Sequence, residues 1–245
     1  MKNDFLVRLR NVHFSYGKHR VFSGLNLVIP KGEVIGILGP IGAGKTLLLR
    51  LIAGLEKAQE GRVEFASEAD STRMSFVFQN DVLLPWLSVR ENLKLCLRRS
   101  DVNLEELRVC RDLGLMPLME KMPSQLSGGM RKKVNFARAF INDDPFVLMD
   151  EPFSALDPSQ KLELQRGFLN LVANHSRTAV LVTHDIQEAF QVCDRIYFLS
   201  ARERRLKASI VNEFRGDFDI PILLEKPRYR ELYQWALDLY SNEGH

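Results

Sequence analysis

The sequence predicts an α/β fold with a mostly parallel sheet, an N-terminal antiparallel β subdomain and a helical insert. One observation is the continuous apolar run Val34–Leu38, which leads into a glycine-rich loop and is typical of a strand buried on both faces. Similar runs return at 146–149, 179–182 and 196–199, with helical patterns between them. The third observation is a stretch from about 80 to 140 that carries helical patterns in place of strand patterns.

The elements follow in order along the chain. Residues 6–9, 12–14 and 25–29 are rich in β-formers, and the last of these runs ends at a Pro-Lys-Gly turn. A helix is predicted at 47–53, where Gly54 closes the pattern. Further strands are predicted at 61–65 and 74–78, and further helices at 89–97, 104–113 and 225–240. We expect one domain over 1–245, with a helical subdomain at about 80–140 and a short helical tail at about 205–245.

The overall composition is that of an ordinary globular protein. Apolar residues make up 45% and charged residues 27% of the chain, and 34 basic residues nearly balance 31 acidic ones. This balance gives no reason to expect nucleic acid as a partner, since such binders cluster positive charge. One local exception is the group Arg202, Arg204, Arg205 and Lys207. A solvated surface turn is the favoured interpretation of this group, and a phosphate-binding patch is the alternative.

Cysteine usage and hydropathy bear on the compartment. Cys96, Cys110 and Cys193 are far apart and none lies in a CxxC pair, so neither a disulfide framework nor a zinc site is indicated. We expect free thiols in a reducing compartment. The N-terminus has no signal-peptide core, and no 18 apolar residues run together. We therefore expect a soluble protein that acts at a membrane only through a partner.

A phosphate-binding loop lies between the strand at 34–38 and the helix that follows. It matches GxxxxGK[ST] and consists of Gly39, Pro40, Ile41, Gly42, Ala43, Gly44, Lys45 and Thr46. Small residues are needed because backbone N–H groups must close around phosphate oxygens, and the positive end of the helix points at the same anion. Lys45 would reach the β- and γ-phosphates, and the Thr46 hydroxyl would hold Mg²⁺. This motif alone predicts a P-loop nucleotide binder.

Polar residues at the ends of three other strands complete the expected site. Asp150 and Glu151 follow the apolar run 146–149; Asp150 would bind Mg²⁺, and Glu151 would polarise the attacking water as a general base. His184 follows the strand at 179–182, where it could donate to a γ-phosphate oxygen. Gln79 follows the strand at 74–78, from which it could reach Mg²⁺ or the water. A lone histidine or glutamine is more often structural, so their spacing relative to the loop and the acid pair carries the argument.

Taken together, these motifs resemble the nucleotide-binding domain of ABC transporters. The deciding stretch is Leu126-Ser127-Gly128-Gly129-Met130, which is similar to that family's signature sequence and lies between the phosphate loop and the acid pair. The resemblance implies a Q-loop at Gln79, a switch histidine at His184 and a D-loop at 154–157. It also implies that Tyr16 stacks on adenine. ATP and Mg²⁺ are the implied cofactors.

The resemblance further implies a homodimer. Ser127 opens a helix and two glycines follow, which offers a hydroxyl and exposed amides to an anion. In the family, that anion is the γ-phosphate held by the other subunit, so Ser127, Gly128 and Gly129 are expected to act in trans.

Two positions depart from the family pattern. Leu47 replaces a hydroxyl residue that contacts the α-phosphate, and Met130 replaces glutamine; we expect an active ATPase that lacks one hydrogen bond, which is worth about 0.5–1.5 kcal/mol.

The segment from Gln79 to Leu87 predicts the partner. It contains Leu83-Leu84-Pro85-Trp86 and is similar to the nitrate, sulfonate and taurine importer subgroup, in which this region receives a helix of the membrane permease. The alternative is that Trp86 is core. We expect an importer ATPase at the inner face of the cell membrane, in a complex that includes a solute-binding protein. An ABC ATPase for lipid trafficking or export, or a soluble one such as an iron–sulfur assembly factor, remains the alternative.

Overall fold

The computed structural model describes residues 5–68, 73–80, 82–99, 103–104, 107–142, 144–173 and 177–241. The strands are β1 (Phe5–Tyr16), β2 (His19–Pro30), β3 (Val34–Leu38), β4 (Glu60–Phe65), β5 (Met74–Val77), β6 (Phe146–Asp150), β7 (Thr178–Thr183), β8 (Arg195–Ser200) and β9 (Arg205–Val211). The helices are α1 (Lys45–Ile52), α2 (Val89–Lys94), α3 (Arg108–Asp112), α4 (Gly128–Phe140), α5 (Pro158–Ala173), α6 (Ile186–Val192), α7 (Ile220–Glu225) and α8 (Pro227–Ser241). The chain divides into two compact units, one drawn from residues 1–72 and 178–245 and the other from residues 73–177.

The first unit contains the predicted antiparallel subdomain, a sheet of order β2-β1-β4. The two short strands predicted at 6–9 and 12–14 are one strand. Asn11, with φ of 48°, lies where the register of β1 shifts against β2, so a bulge interrupts the alternation in the sequence. Leu9 pairs with Leu27 on one side and Val63 on the other, and the side chains of Leu9 and Leu27 are buried.

A second sheet of the first unit carries the parallel strands. β3 pairs in parallel with both β7 and β8, and β9 runs antiparallel to β8. Every residue of β3 and β7 is buried, which explains why both appear in the sequence as unbroken apolar runs. Register places Gly36 opposite Leu181 and Ile196, at the centre of this sheet.

The tail differs from the prediction at its start. The expected helical segment from about 205 begins instead with strand β9, whose residues alternate between exposed and half-buried. Arg205 and Lys207 occupy exposed positions of this strand, so it lacks the apolar signal of the central strands. Arg202 is exposed in the turn before β9, in keeping with a solvated group. The helix predicted at 225–240 is present as α8, which begins at Pro227, a residue suited to the first turn.

The second unit joins the parallel pair β5 and β6 to α2, α3, α4 and α5. Its core contains four phenylalanine rings whose centroids lie 5.6–6.3 Å apart: Phe136, Phe140, Phe153 and Phe168. These rings connect α4, the turn after β6 and α5. The described helices are shorter than predicted, with α2 ending at Lys94 and α3 spanning Arg108–Asp112, while residues 105–106 of the predicted helix lie outside the described residues.

Two further features of the described residues concern the cysteines and the hydropathy of the helices. The three cysteines are free thiols, and Cys110 and Cys193 are buried. A helix capable of spanning a bilayer is absent from the part of the chain that the structure describes.

Candidate functional site

The glycine-rich loop of the first unit lies between β3 and α1. Gly42 has φ of 83° and Gly44 has φ of 92°, both in the left-handed region that favours glycine. A Cβ at Gly44 would lie 2.6 Å from Val21 Cγ1, so at this position space as well as backbone conformation requires glycine. A Cβ at Gly42 would meet open space, so there the backbone conformation alone requires it. The loop therefore has the shape that the phosphate-binding prediction needs.

The cation and hydroxyl of the loop lie at the start of α1. The side chain of Lys45 is 7% exposed, and its Nζ donates to the carbonyl oxygens of Gly39 at 2.7 Å and Pro40 at 2.9 Å. Thr46 is exposed, whereas the side chain of Leu47 is buried in the core and offers no donor. An ammonium group and a hydroxyl beside the N-terminus of a helix fit the phosphates and metal of a nucleotide.

Two further predicted residues belong to the first unit. Tyr16 ends β1 with 52% of its surface exposed, and its ring stands edge-on to Phe14 at 5.0 Å between centroids. This packing fixes the ring while leaving it open to a flat partner. His184 is exposed directly after β7, and the next residue, Asp185, caps α6 by accepting a hydrogen bond from the Glu188 N–H at 3.0 Å. The strand end and the helix cap thus fix the backbone on both sides of His184.

The acid pair lies at the end of β6 in the second unit. Asp150 is 6% exposed and is the last residue of the strand, and Glu151 follows with φ of 44°. A left-handed glutamate costs about 1 kcal/mol or more and persists only where its surroundings enforce it. Here the Ser154 hydroxyl donates to the Glu151 carbonyl oxygen at 2.8 Å, and the Ser154 N–H donates to the same oxygen at 3.2 Å.

The structure brings two of the predicted catalytic residues together. Gln79 Nε2 donates to Glu151 Oε2 at 3.2 Å, so the side chain after β5 touches the carboxylate after β6. The parallel pairing of β5 and β6, with Phe76 opposite Leu148, brings these strand ends to the same edge. The third predicted catalytic residue, His184, belongs to the first unit.

The signature stretch forms the N-terminus of α4. Ser127 is the N-cap, and its hydroxyl accepts a hydrogen bond from the Met130 N–H at 3.3 Å, which leaves the hydroxyl proton for an acceptor. Ser127 and Gly128 are exposed. Gly129 is buried, and a Cβ there would lie 2.1 Å from Gln160 Oε1, so this glycine permits the close approach of α4 and α5. Ser127 and Gly128 are thus exposed, whereas Met130 is half-buried.

The predicted D-loop aspartate has a structural task in this chain. Asp157 Oδ1 accepts from the Ser159 hydroxyl at 2.6 Å, the Gln160 N–H at 3.0 Å and the Ser159 N–H at 3.1 Å. These hydrogen bonds, that of the Ser159 hydroxyl first, lower the pKa of Asp157. Asp157 therefore caps the start of α5, and Ala155, with φ of 58°, supplies the sharp turn before it.

The segment 82–88 holds an exposed tryptophan. Trp86 is 68% exposed, so it is not part of the core. The loop around it is held by Asn92, which is fully buried and makes four side-chain hydrogen bonds to the backbone of Leu84, Leu87 and Ser88. Beside this segment lies a cleft of about 120 Å³, lined in part by Phe76, Phe78, Val82, Cys96, Arg138 and Ala139.

Sequence reasoning missed three residues that organise the second unit. Asn92 carries no sequence signal, because an asparagine in the first turn of a helix is common on surfaces. Gln160 is identified only by its approach to Gly129. Lys132 is 7% exposed and its ammonium donates to the Gln79 carbonyl oxygen, yet in the sequence it cannot be told apart from its neighbour Lys133.

The fold and the phosphate loop define the class of this protein, a P-loop nucleotide-binding protein with an α/β core. The ABC transporter family profile matches residues 22–154, which is more than half of the chain. The chain belongs to the ABC transporter family, as its signature stretch predicted.

Individual relatives agree with this assignment. The aliphatic sulfonates import ATP-binding protein SsuB 1 of Paraburkholderia xenovorans is 39% identical over 230 residues, a match that covers 93% of this chain and 63% of that relative. The protein of the same name from Pseudomonas syringae is 34% identical over 231 residues, covering 93% and 90%. A bacterial ABC transporter cassette solved as a dimer is 30% identical with a TM-score of 0.72, covering 84% of this chain and 98% of that chain. The same cassette has been solved in a post-hydrolysis state bound to ADP and Pi.

Proposed function

We propose that this protein binds and hydrolyses ATP to energise an ABC importer for a small anion such as a sulfonate, taurine or nitrate. The observation that carries the hydrolytic part is the contact of 3.2 Å between Gln79 Nε2 and Glu151 Oε2, beside the buried Asp150. Similarity to proteins named for aliphatic sulfonates import supports the direction of transport and the anionic cargo. The same similarity disfavours a lipid exporter or an iron–sulfur assembly factor.

In this proposal each residue has a defined task. Lys45 and the loop amides bind the β- and γ-phosphates, and the exposed ring of Tyr16 stacks on adenine. Thr46 in the first unit, and Asp150 and Gln79 in the second, would each supply an oxygen to Mg²⁺, which would neutralise charge on the phosphates. Glu151 accepts a proton from the attacking water, and His184 donates a hydrogen bond to the γ-phosphate. The residues fit these tasks because they supply hydroxyl, carboxylate and amide oxygens, which Mg²⁺ prefers.

The active form is a homodimer in which two nucleotides are shared between the subunits. Ser127 and Gly128 support this arrangement, because both are exposed at the N-terminus of α4 and can donate to an anion outside their own chain. The dimeric state of a cassette that is 30% identical also supports it. Each site then contains the phosphate loop of one copy and the signature residues of the other.

The membrane partner docks on the segment from Gln79 to Leu87. Trp86 and the neighbouring cleft offer an apolar surface of the kind that receives a helix in a groove. The expected occupant is a cytoplasmic helix of the permease subunits. The protein then works as a peripheral subunit at the cytoplasmic face of the membrane, in a complex whose solute-binding protein delivers the cargo.

The hydrolytic role is tested by Glu151→Gln, which keeps the shape of the side chain but removes the base. We expect ATP turnover to fall by about 10²–10⁴-fold while ATP binding remains, because a positioned general base contributes that factor. Glu163→Gln is the matched control, since Glu163 is an exposed partner of Lys133 on α5. Unchanged turnover in Glu151→Gln would contradict the role of Glu151. Co-purification with a soluble complex instead of an integral membrane protein would contradict the transport role.

A further inference from the structure

We propose that Lys132 is a positioning residue for ATP hydrolysis, which connects the signature helix α4 to the carboxylate of Glu151 through Gln79. The inference rests on the proposed function and deepens it, because it names how the helix opened by Ser127 controls the base of its own subunit. All of its contacts lie within the second unit.

The first contact joins α4 to the backbone after β5. The ammonium group of Lys132 donates to the main-chain carbonyl oxygen of Gln79, and the Lys132 side chain is only 7% exposed. Burial of an ammonium group costs free energy unless the group is hydrogen-bonded, so the bond to Gln79 helps to stabilise Lys132 in its buried position. Its neighbour Lys133 points elsewhere and pairs with Glu163 Oε1 at 2.6 Å.

The second contact joins Gln79 to the base. Gln79 Nε2 donates to Glu151 Oε2 at 3.2 Å, while its backbone oxygen accepts from Lys132. The main-chain carbonyl of Gln79 thus bonds to Lys132, and its side-chain amide bonds to Glu151. Because Gln79 is exposed and follows the end of β5, burial does not fix its side chain. The hydrogen bond from Lys132 restricts where the amide, and through it the carboxylate of Glu151, is directed.

A third contact ties the same segment to the same helix. Arg138, six residues after Lys132 on α4, donates to the carbonyl oxygen of Val82. Two cations of α4 therefore hold the backbone at Gln79 and at Val82. A displacement of α4, such as one caused by an anion binding at Ser127, would move this segment and change the contact between Gln79 and Glu151.

The test compares three substitutions on α4. Lys132→Met removes the donor but keeps an unbranched helix-forming side chain, Lys132→Arg keeps a cationic donor, and Lys133→Met is the matched control. We expect Lys132→Met to lower kcat about 10- to 100-fold, because displacement of a catalytic group by about 1 Å costs up to that factor. The Kd for ATP should change by less than about twofold, since the phosphate loop is intact. The kcat of Lys132→Arg should be close to that of the unsubstituted protein, and the kcat of Lys133→Met should be equal to it.

A double-substitution cycle separates positioning from general stability. If Lys132 acts through Gln79, then adding Lys132→Met to Gln79→Ala should lower kcat by less than about twofold further. Multiplication of the two effects, an unchanged kcat in Lys132→Met, or a parallel loss of ATP binding would each overturn the proposal. If Lys132→Met fails to fold, Lys132→Gln replaces it in the cycle, with an expected kcat below that of Lys132→Arg. A kcat for Lys132→Gln equal to that of the unsubstituted protein would likewise overturn the proposal.

The inference and the proposed function fail differently. Full turnover in Glu151→Gln would show that Glu151 is not the general base, and would refute both the hydrolytic role of Glu151 and the positioning role of Lys132. Loss of turnover in Glu151→Gln together with normal kcat in Lys132→Met would leave the hydrolytic function intact and refute only the role of Lys132.

Discussion

Substitution of Asn92 by alanine should loosen the loop that carries Trp86. The Asn92 side chain accepts from the Leu84 N–H at 2.8 Å and donates to the carbonyl oxygens of Leu84 at 3.1 Å, Leu87 at 2.9 Å and Ser88 at 3.0 Å. In the alanine variant, the Leu84 and Ser88 oxygens each keep a backbone partner, whereas the Leu84 N–H and the Leu87 oxygen lose the hydrogen bonds that Asn92 made to them. Two half-buried groups left without these bonds cost about 1–2 kcal/mol each, in the lower part of the range for buried groups, so we expect a loss of about 2–4 kcal/mol.

Thermal unfolding and amide exchange measure this loss. For a chain of this size, about 1 kcal/mol corresponds to roughly 2–4 °C, so Tm should fall by roughly 4–16 °C. Exchange at the Leu84 amide should accelerate in the same variant, since that amide loses its acceptor. Asn170→Ala is the control, because Asn170 is exposed on α5 and should change Tm little. A change below about 0.5 kcal/mol in Asn92→Ala, with normal exchange at Leu84, would refute the claim that this side chain holds the loop.

Three other substitutions test the docking surface, the phosphate loop and the tail. Trp86→Ala should leave stability within about 0.5 kcal/mol, because the side chain is 68% exposed. The same change should weaken binding to detergent-solubilised permease by roughly 30-fold, as for an interface hot spot; equal binding would contradict the docking role. Gly42→Ala should raise the Kd for ATP about 5- to 30-fold, because the alanine loop relaxes in the free protein and must return to φ of 83° to bind, at a cost of about 1–2 kcal/mol; an unchanged Kd in a nucleotide titration would contradict it. Burial raises the pKa of Tyr229 to about 12, so the folded state favours the neutral phenol. The unfolded chain ionises this tyrosine near pH of about 10, so the free energy of unfolding falls as the pH rises from there toward 12. Between those pH values the free energy of unfolding, measured with urea, should therefore fall by up to about 2–3 kcal/mol less in Tyr229→Phe than in the unsubstituted protein. An identical fall in both proteins would contradict the raised pKa of Tyr229.

Complete burial made the central strands easy to predict from the sequence. β3 and β7 are buried on both faces, so their apolar runs gave nearly correct bounds. β9 was missed because it lies at the end of the sheet order and exposes Arg205 and Lys207, which removes the apolar pattern. The bulge at Asn11 likewise divided one strand into two predicted ones, because a local change in backbone conformation has no fixed sequence signal.

The candidate site was predictable as far as its motifs are local. The phosphate loop and the acid pair are contiguous in the sequence, and their side chains occupy a strand end or a helix start, as expected. The contact between Gln79 and Glu151 needed the parallel pairing of β5 and β6, which brings together residues 72 positions apart. Lys132 and Asn92 were missed for another reason. Their importance lies in the backbone groups that they bond, and a sequence does not show which carbonyl a side chain will meet.

In the proposed dimer, Ser127 completes the nucleotide site of the partner copy and not its own. The most direct test of this arrangement uses sedimentation of Glu151→Gln with ATP, with and without Ser127→Arg. We predict an ATP-dependent dimer for Glu151→Gln alone, and a monomer with undiminished affinity for ATP once Ser127→Arg is added. A dimer that persists with arginine at this position, or a monomer that no longer binds ATP, would contradict the assignment of Ser127 to the partner's site.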